Sequence, residues 1–286
     1  MAAATYIRPA TLKAALEHLR RHGPGTKILA GGTDLVVDMR RGAVRPDFIL
    51  DVSRLAELKG IALGEEGLSV GAAVTLAEIE RSSLLARHAP ALRAASLTFA
   101  SPQIRNVATI GGNVAHCSPC GDTVPPLLIH EAAAVIAGPA GARVQPVEEI
   151  AAGPYACALP PDELIVRFVL KPAPAGLTFA DFQKIGRRRQ LAIARLNAAA
   201  MALQEPGGRL GFFRFALGAC TPTPRRLAEV EGLLAGRVPT AELLWEAGRL
   251  LAARTLEITG RRASAAYKEP AIQGLFVRML QPLVAA

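Results

Sequence analysis

The sequence predicts an α+β chain in two parts, and three features predict it. Through the first half, runs of apolar residues at helical spacing alternate with short strand-like runs. A Pro/Gly/Ala stretch at residues 171–176 interrupts both patterns. Beyond it, three alternating segments precede three helical ones, the order of a sheet followed by its covering helices. The expected division is a larger domain over 1–175, in two pieces of about 1–55 and 56–175, then a smaller domain over 176–286 of antiparallel sheet plus helices.

Residues 11–21 set Leu12, Ala15, Leu16 and Leu19 on one face and stop before Gly23, the pattern of an amphipathic helix. Residues 27–30 form a strand that breaks at Gly31-Gly32, and Thr33 and Asp34 are both good N-caps for a short helix over 35–39. Residues 47–52 and 68–72 are strands, and 75–97 is helical with an interruption near Pro90. Residues 99–116, polar and punctuated by glycine, are mostly loop. Residues 122–132 are helical, with Pro125 and Pro126 tolerated in the first turn. Strand alternation returns around 133–136, at Val144 and over 163–170. In the second part, 178–184, 193–203 and 209–219 form a meander, and 225–235, 240–253 and 271–283 are helices.

Of the 286 residues 51% are apolar, enough for a sizeable core. The net charge is +9, and its one dense cluster is Arg187, Arg188 and Arg189. Nucleic-acid binding calls for a continuous basic stripe with base-stacking aromatics, which is absent; the charge suits an acidic protein partner. Four cysteines are too few for a disulfide framework in a chain this long, so they read as reduced thiols of a cytoplasmic protein. The N-terminus lacks the pattern of a secretion signal, and no apolar run approaches the roughly 18–20 residues of a transmembrane segment.

Two glycine-rich segments carry the chemistry: Leu29-Ala30-Gly31-Gly32-Thr33-Asp34-Leu35, and Ala108-Thr109-Ile110-Gly111-Gly112-Asn113-Val114-Ala115-His116. Glycine lets backbone N–H groups approach a ligand closely, and a helix start adds donors, a geometry that suits a pyrophosphate. Neither segment is a GxGxxG fingerprint or a Walker loop. Alone, a Gly-Gly between strand and helix is usually a tight turn; together the two segments can clamp a dinucleotide from two sides, the alternative being two unrelated surface loops.

In these segments the sequence resembles the FAD-binding medium subunits of the xanthine dehydrogenase and carbon monoxide dehydrogenase family of molybdenum hydroxylases. The likeness rests on AGGTDL at residues 30–35, RNVATIGGN at 105–113, and the continuation through Ser118, Pro119, Asp122, Pro125 and Pro126. It implies a two-part FAD-binding domain of the PCMH type and a smaller C-terminal domain. By position, Leu29, Ala30, Gly31, Gly32, Thr33, Asp34 and Leu35 would wrap the FAD pyrophosphate and ribose, with the backbone of Asp34 rather than its carboxylate facing the phosphates. Thr109, Ile110, Gly111, Gly112 and Asn113 would contact the phosphates and ribityl chain from the other side. Asp122 would bond sugar or ribityl hydroxyls, Phe99 and Ala100 would lie near the cofactor, Ile165 against the ring system, and Lys184 would approach the flavin. One departure stands out: where the family often carries an acid after Lys184, this chain has Ala192.

The resemblance further implies that no side chain here is catalytic. Electrons would come from two 2Fe–2S clusters in a small iron–sulfur subunit, fed by a molybdopterin cofactor in a large subunit. They would leave to NAD, a quinone, another carrier or oxygen. Two other readings are a self-sufficient FAD-dependent oxidoreductase and a non-catalytic scaffold that has lost its flavin. The former needs its own acid–base pocket, which the sequence does not offer, and the latter would have eroded the glycine segments, which are intact. Cys117 and Cys120 have a CxxC spacing, but a zinc site or iron–sulfur cubane needs four ligands. No metal is expected in this chain, both thiols are expected to be unligated, and His116 and His130 are read as partly buried, non-catalytic histidines.

Overall fold

Residues 4–188 and 191–284 are described in the computed structural model; Arg189 of the arginine cluster, and Gln190, lie outside the described residues. The chain opens with β1 (Thr5–Ile7), α1 (Leu12–His22), β2 (Thr26–Leu29), α2 (Leu35–Arg40) and β3 (Phe48–Asp51). There follow β4 (Ile61–Gly64), β5 (Gly67–Gly71), α3 (Leu76–Arg81), α4 (Ser83–His88), α5 (Pro90–Leu97), α6 (Pro102–Arg105), α7 (Ile110–Ala115) and α8 (Val124–Ile129). Next come β6 (Ala133–Gly138), β7 (Gly141–Pro146), β8 (Ala151–Gly153), β9 (Ala156–Cys157) and β10 (Leu164–Leu170). The last elements are β11 (Phe179–Gly186), β12 (Ala194–Gln204), β13 (Leu210–Gly218), β14 (Arg225–Arg226), α9 (Ala228–Leu234), α10 (Ala241–Thr259) and α11 (Ala265–Leu280). The α+β class and the C-terminal antiparallel sheet with helices are those expected.

The chain forms two compact units. The first comprises Met1–Leu84, Phe99–Cys117 and Glu131–Lys171; the second comprises Leu85–Thr98, Ser118–His130 and Pro172–Ala286.

The first unit holds a three-stranded parallel sheet in the order β1-β3-β2. Helix α1 buries Ala15 and Leu19, and Thr11 caps it by accepting from the Ala14 N–H at 3.2 Å. At the end of β3 the buried Asp51 accepts from Tyr6, from Arg8 Nε at 2.9 Å and from the Ser53 N–H at 2.9 Å. The same unit has a five-stranded antiparallel sheet, β4-β5-β10-β6-β7. Its central strand β10 sets Phe168 opposite Val70 on one side and Ala134 on the other, all fully buried. A bulge interrupts β10 between Ile165 and Arg167, and the freed Val166 carbonyl accepts from the Ala72 N–H at 2.9 Å.

In the second unit four strands run antiparallel as β11-β12-β13-β14. Strand β12 is buried on both faces along most of its length, and five of its eleven residues are alanine, which lets covering helices approach closely. On one face Ala198, Ala200 and Ala202, opposite Leu217, Phe215 and Phe213, join a cluster with Leu244, Ala247, Leu251, Phe276 and Leu280 of α10 and α11. Helices α5 and α8 also pack on this sheet.

Several expectations required correction. Residues 99–116 are not mostly loop: α6 and α7 form there because Ser101 and Thr109 act as N-caps, accepting from Ile104 at 3.3 Å and Gly112 at 3.1 Å. The helix expected over 225–235 begins only at Ala228, after the short strand β14 pairs with β13. The last helix starts at Ala265 and runs through Pro270. Strands β1, β8 and β9, of two or three residues, are too short for a periodicity to register, and β4, which ends at Gly64, is likewise not among the strands expected.

Candidate functional site

Within the first unit the fold brings the two glycine segments together. A Cβ on Gly31 would stand 2.0 Å from the Val107 carbonyl oxygen and 2.9 Å from Ala108 Cα, so only glycine lets this backbone lie against the residues that lead into Thr109. Gly32 has a φ of +70°, and the Cβ position of Gly112 is 3.9 Å from Ala30 Cβ. Leu29, Ala30, Gly31, Gly32, Thr33 and Leu35 are partly exposed and Asp34 is exposed. The backbone N–H groups of Gly31, Gly32, Thr33, Asp34 and Leu35 have no hydrogen-bond acceptor among the described residues. Five consecutive N–H groups without partners, leading into α2, offer fixed partial positive charge suited to phosphate oxygens.

The second segment uses its donors differently. Ile110 N–H donates to Val74 O at 3.0 Å, Gly111 N–H to Ala72 O at 2.9 Å, and Gly112 N–H to Thr109 Oγ1 at 3.1 Å. A Cβ on Gly111 would meet Ala72 O at 2.6 Å, so this glycine seats α7 on the end of β5. Thr109 is buried and bridges to Thr75, whose side chain in turn closes a capping box with Glu78 at the start of α3. Gly112 is exposed and Asn113 half-buried. The segment therefore contributes a rigid, glycine-smoothed surface more than free N–H donors.

Asp34 does not cap α2 with its side chain; its carboxylate lies 3.8 Å from His116 Nε2, an ion pair only when the imidazole is protonated. His116 is half-buried and meets Tyr155 edge-on, with ring centroids 5.3 Å apart. Phe99 and Ala100 are half-buried, and their carbonyls accept from Arg105 at 3.0 and 3.4 Å; Arg105 also pairs with Glu80 at 2.8 Å. Ala100, at φ +37°, makes the turn into α6. Ile165 is buried in the five-stranded sheet opposite Ile136.

In the second unit Asp122 and Lys184 find each other. Lys184 Nζ donates to Asp122 Oδ2 at 2.7 Å and to the Thr98 carbonyl at 3.0 Å, which leaves one of its three N–H groups. Asn197 Nδ2 donates to Asp122 Oδ1 at 2.8 Å. Burial pushes the Asp122 carboxyl above the usual range, and Lys184 and Asn197 oppose the rise. Asn197 Oδ1 has no partner among the described residues and sits against Gly218, where a Cβ would stand 2.3 Å away.

Sequence reasoning missed Asn197, although an asparagine inside the apolar run of β12 was a signal: a buried amide there needs a polar partner. It also missed the backbone of Val107, which carries no sequence signal as a partner for Gly31. His130 is fully buried rather than partly so. Among the described residues no three His, Cys, Asp or Glu side chains gather to hold a metal ion, and all four cysteines are free.

Residues 2–173 match the family model of the FAD binding domain in molybdopterin dehydrogenase, and residues 181–283 match that of the CO dehydrogenase flavoprotein C-terminal domain. The chain is 37% identical over 229 residues to the xanthine dehydrogenase FAD-binding subunit of Escherichia coli O157:H7, a match covering 80% of this chain and 78% of that one. It is 31% identical over 265 residues to the carbon monoxide dehydrogenase medium chain of Afipia carboxidovorans, covering 92% and 90%. Its fold superposes with a TM-score of 0.91 on a chain of carbon monoxide dehydrogenase from Hydrogenophaga pseudoflava, at 27% identity and 99% coverage of both chains.

Proposed function

Because this chain belongs to the xanthine dehydrogenase and carbon monoxide dehydrogenase family of molybdenum hydroxylases as an FAD-binding medium subunit, we propose that it passes electrons from a partner's iron–sulfur clusters through FAD to an external acceptor. The observation that carries this reading is the row of five partnerless N–H groups from Gly31 to Leu35. The residues present fit the cofactor there: the N–H row matches pyrophosphate oxygens, and glycine at 31 and 32 keeps side chains out of the cradle.

When bound, FAD supplies one- and two-electron redox chemistry that no side chain of this protein offers. The chain's own part is to bind and orient. Leu29, Ala30 and the Gly31 to Leu35 backbone hold the pyrophosphate end, with Thr109, Ile110, Gly111, Gly112 and Asn113 supporting it through the rigid start of α7. Phe99, Ala100 and Ile165 are assigned to the cofactor by the resemblance. So are Asp122 and Lys184, whose ion pair fixes both side chains in place of the mobility each would have alone. By the resemblance, Ala192 stands where the family often carries an acid, so the flavin surroundings in this chain depart from the common family pattern.

The proposed partners are a large subunit with the molybdopterin cofactor and a small subunit with two 2Fe–2S clusters, with NAD, a quinone, another carrier or oxygen as acceptor. The proposed division falls near residue 175, which the ranges of the two family models support. The proposed compartment is the cytoplasm, on the strength of free cysteines; no helix among the described residues is long and apolar enough to cross a membrane.

The test is a tagged purification from the native host, with released flavin and co-purifying chains identified by mass spectrometry. FAD together with a molybdopterin-bearing chain and a ferredoxin-like chain is the expected result. FAD with no partner would favour a self-sufficient flavoenzyme, and a folded protein with no flavin would end the proposal.

A further inference from the structure

We propose that Cys157 and Cys117 are a peroxide-reactive thiol pair that closes reversibly to a disulfide, clamping the 151–157 hairpin onto the C-terminal end of α7. The CxxC spacing directs attention to Cys120, but the thiol that meets Cys117 is Cys157, 40 residues on in the sequence. The approach is built by backbone. Cys117 follows α7 at φ +52°, the left-handed position that ends a helix, with its N–H on Val114 O at 3.0 Å. The Cys117 carbonyl accepts the Tyr155 N–H at 2.8 Å, which pins the hairpin beside it. Cys157 pairs with Ala151 across the hairpin, and the Cys117 thiol lies 3.7 Å from the carbonyl of the preceding residue, Ile150. Tyr155, in the turn of that hairpin, also packs against the His116 ring at 70°, with centroids 5.3 Å apart.

The two thiols differ in the way a reactive pair requires. Cys157 is exposed and Cys117 is buried. The Cys117 S–H has the carbonyls of Val114 and Ala115 at 3.5 Å and of Ile150 at 3.7 Å, and interaction with the Cys117 thiol lowers the Cys157 thiol to about 6 despite its partial burial; the Leu159 N–H adds to the effect. The same interaction, with burial, pushes the Cys117 thiol far up. At neutral pH the pair rests as an exposed thiolate beside a buried thiol, the arrangement of an attacking and a resolving cysteine.

The step balances with a hydroperoxide as oxidant. The Cys157 thiolate attacks the O–O bond and becomes a sulfenic acid, and the peroxide's other oxygen leaves as hydroxide. Cys117 then attacks the sulfenic sulfur; the S–S bond forms, the S–O bond breaks, and the Cys117 proton leaves with the oxygen as water. With hydrogen peroxide, one thiolate and one thiol give one disulfide, one water and one hydroxide. Because Tyr155 already holds the hairpin to Cys117, closure needs little backbone movement.

The experiment uses the purified holoprotein treated with stoichiometric hydrogen peroxide, then alkylated, digested and read by mass spectrometry, a readout that does not depend on flavin. The expected product is a dithiothreitol-reversible peptide joining Cys117 to Cys157, with Cys120 and Cys220 still alkylated. Reduced protein should alkylate at Cys157 with a midpoint near pH 6. Cys157→Ser, an exposed change that leaves the core intact, should keep Cys117 reduced under the same treatment. Cys117→Ala should divert Cys157 to the sulfinic acid and shift its alkylation midpoint upward. A wild-type protein whose Cys157 goes to sulfinic acid without the cross-link, or stays reduced, overturns the proposal. So does Cys117 oxidation undiminished in Cys157→Ser.

Discussion

The residues that decide most are ones whose side chains are absent or hidden. Gly31 faces the Val107 carbonyl so closely that alanine must displace the 107–108 backbone. Gly31→Ala is expected to cost about 3 kcal/mol and to empty the protein of flavin; an unchanged melting temperature and flavin content would show that this approach does not matter. Lys184 neutralises a carboxylate that is itself nearly inaccessible. Lys184→Met should therefore cost about 3 kcal/mol at neutral pH, because it leaves Asp122 buried and charged with only Asn197 beside it. The pH dependence follows from the direction of the shift. Burial raises the Asp122 carboxyl, and losing Lys184 raises it further. The folded state then holds a proton that the unfolded state releases, so stability falls as pH rises from the unfolded value through the folded one. The deficit measured by urea unfolding should be smaller at pH 5 than at pH 7, and Asp122→Asn in the same chain should recover part of it. Equal deficits at both pH values would refute the account.

At the scale of elements, caps and strand ends carry information that composition conceals. Helix α7 contains two glycines in its first turn and read as loop, yet it forms because Thr109 caps it and Val74 and Ala72 take its first donors. Thr109→Ala should cost about 1 kcal/mol, with Thr109→Ser restoring most of it, as checked by thermal unfolding. In the parallel sheet, burial would raise the Asp51 carboxyl, but hydrogen bonds from Ser53, Tyr6 and Arg8 outweigh it and hold the group at about 2. A depressed carboxyl adds stability above its unfolded value and loses it as pH falls through the folded one. Asp51→Asn is expected to cost about 2 kcal/mol at neutral pH and about 0.4 kcal/mol at pH 2, where the folded carboxyl is half protonated. A cost that does not fall in acid would mean that shape, not charge, is what Asp51 contributes.

For the whole molecule, the two compact units draw on interleaved stretches of chain. Helices α5 and α8 arise within the first 130 residues, yet they belong to the unit whose sheet is β11-β12-β13-β14. Their apolar faces announced that they would be buried and not where. A flavin cradle tied to this fold has a thermodynamic consequence. FAD added to flavin-stripped protein at about 100 times its Kd should stabilise it by about 2.7 kcal/mol, seen as a raised unfolding midpoint in urea. No change in the midpoint would remove FAD binding from this chain.

Local patterns determined the α+β class, the C-terminal meander and its helices, and the two glycine segments, since periodicity and a Gly-Gly break are properties of neighbours in sequence. The resemblance of those segments to a known family reached further than any single residue did. The sequence could not show that Gly31 rests on Val107, that Asp122 is shared by Lys184 and Asn197, or that Cys117 answers to Cys157 rather than Cys120. Those partners lie tens of residues apart, and only the packing of buried faces brings them within reach. A hydrogen bond or thiol contact of that kind leaves no periodic trace in the chain, because neither partner's sequence neighbourhood depends on the other.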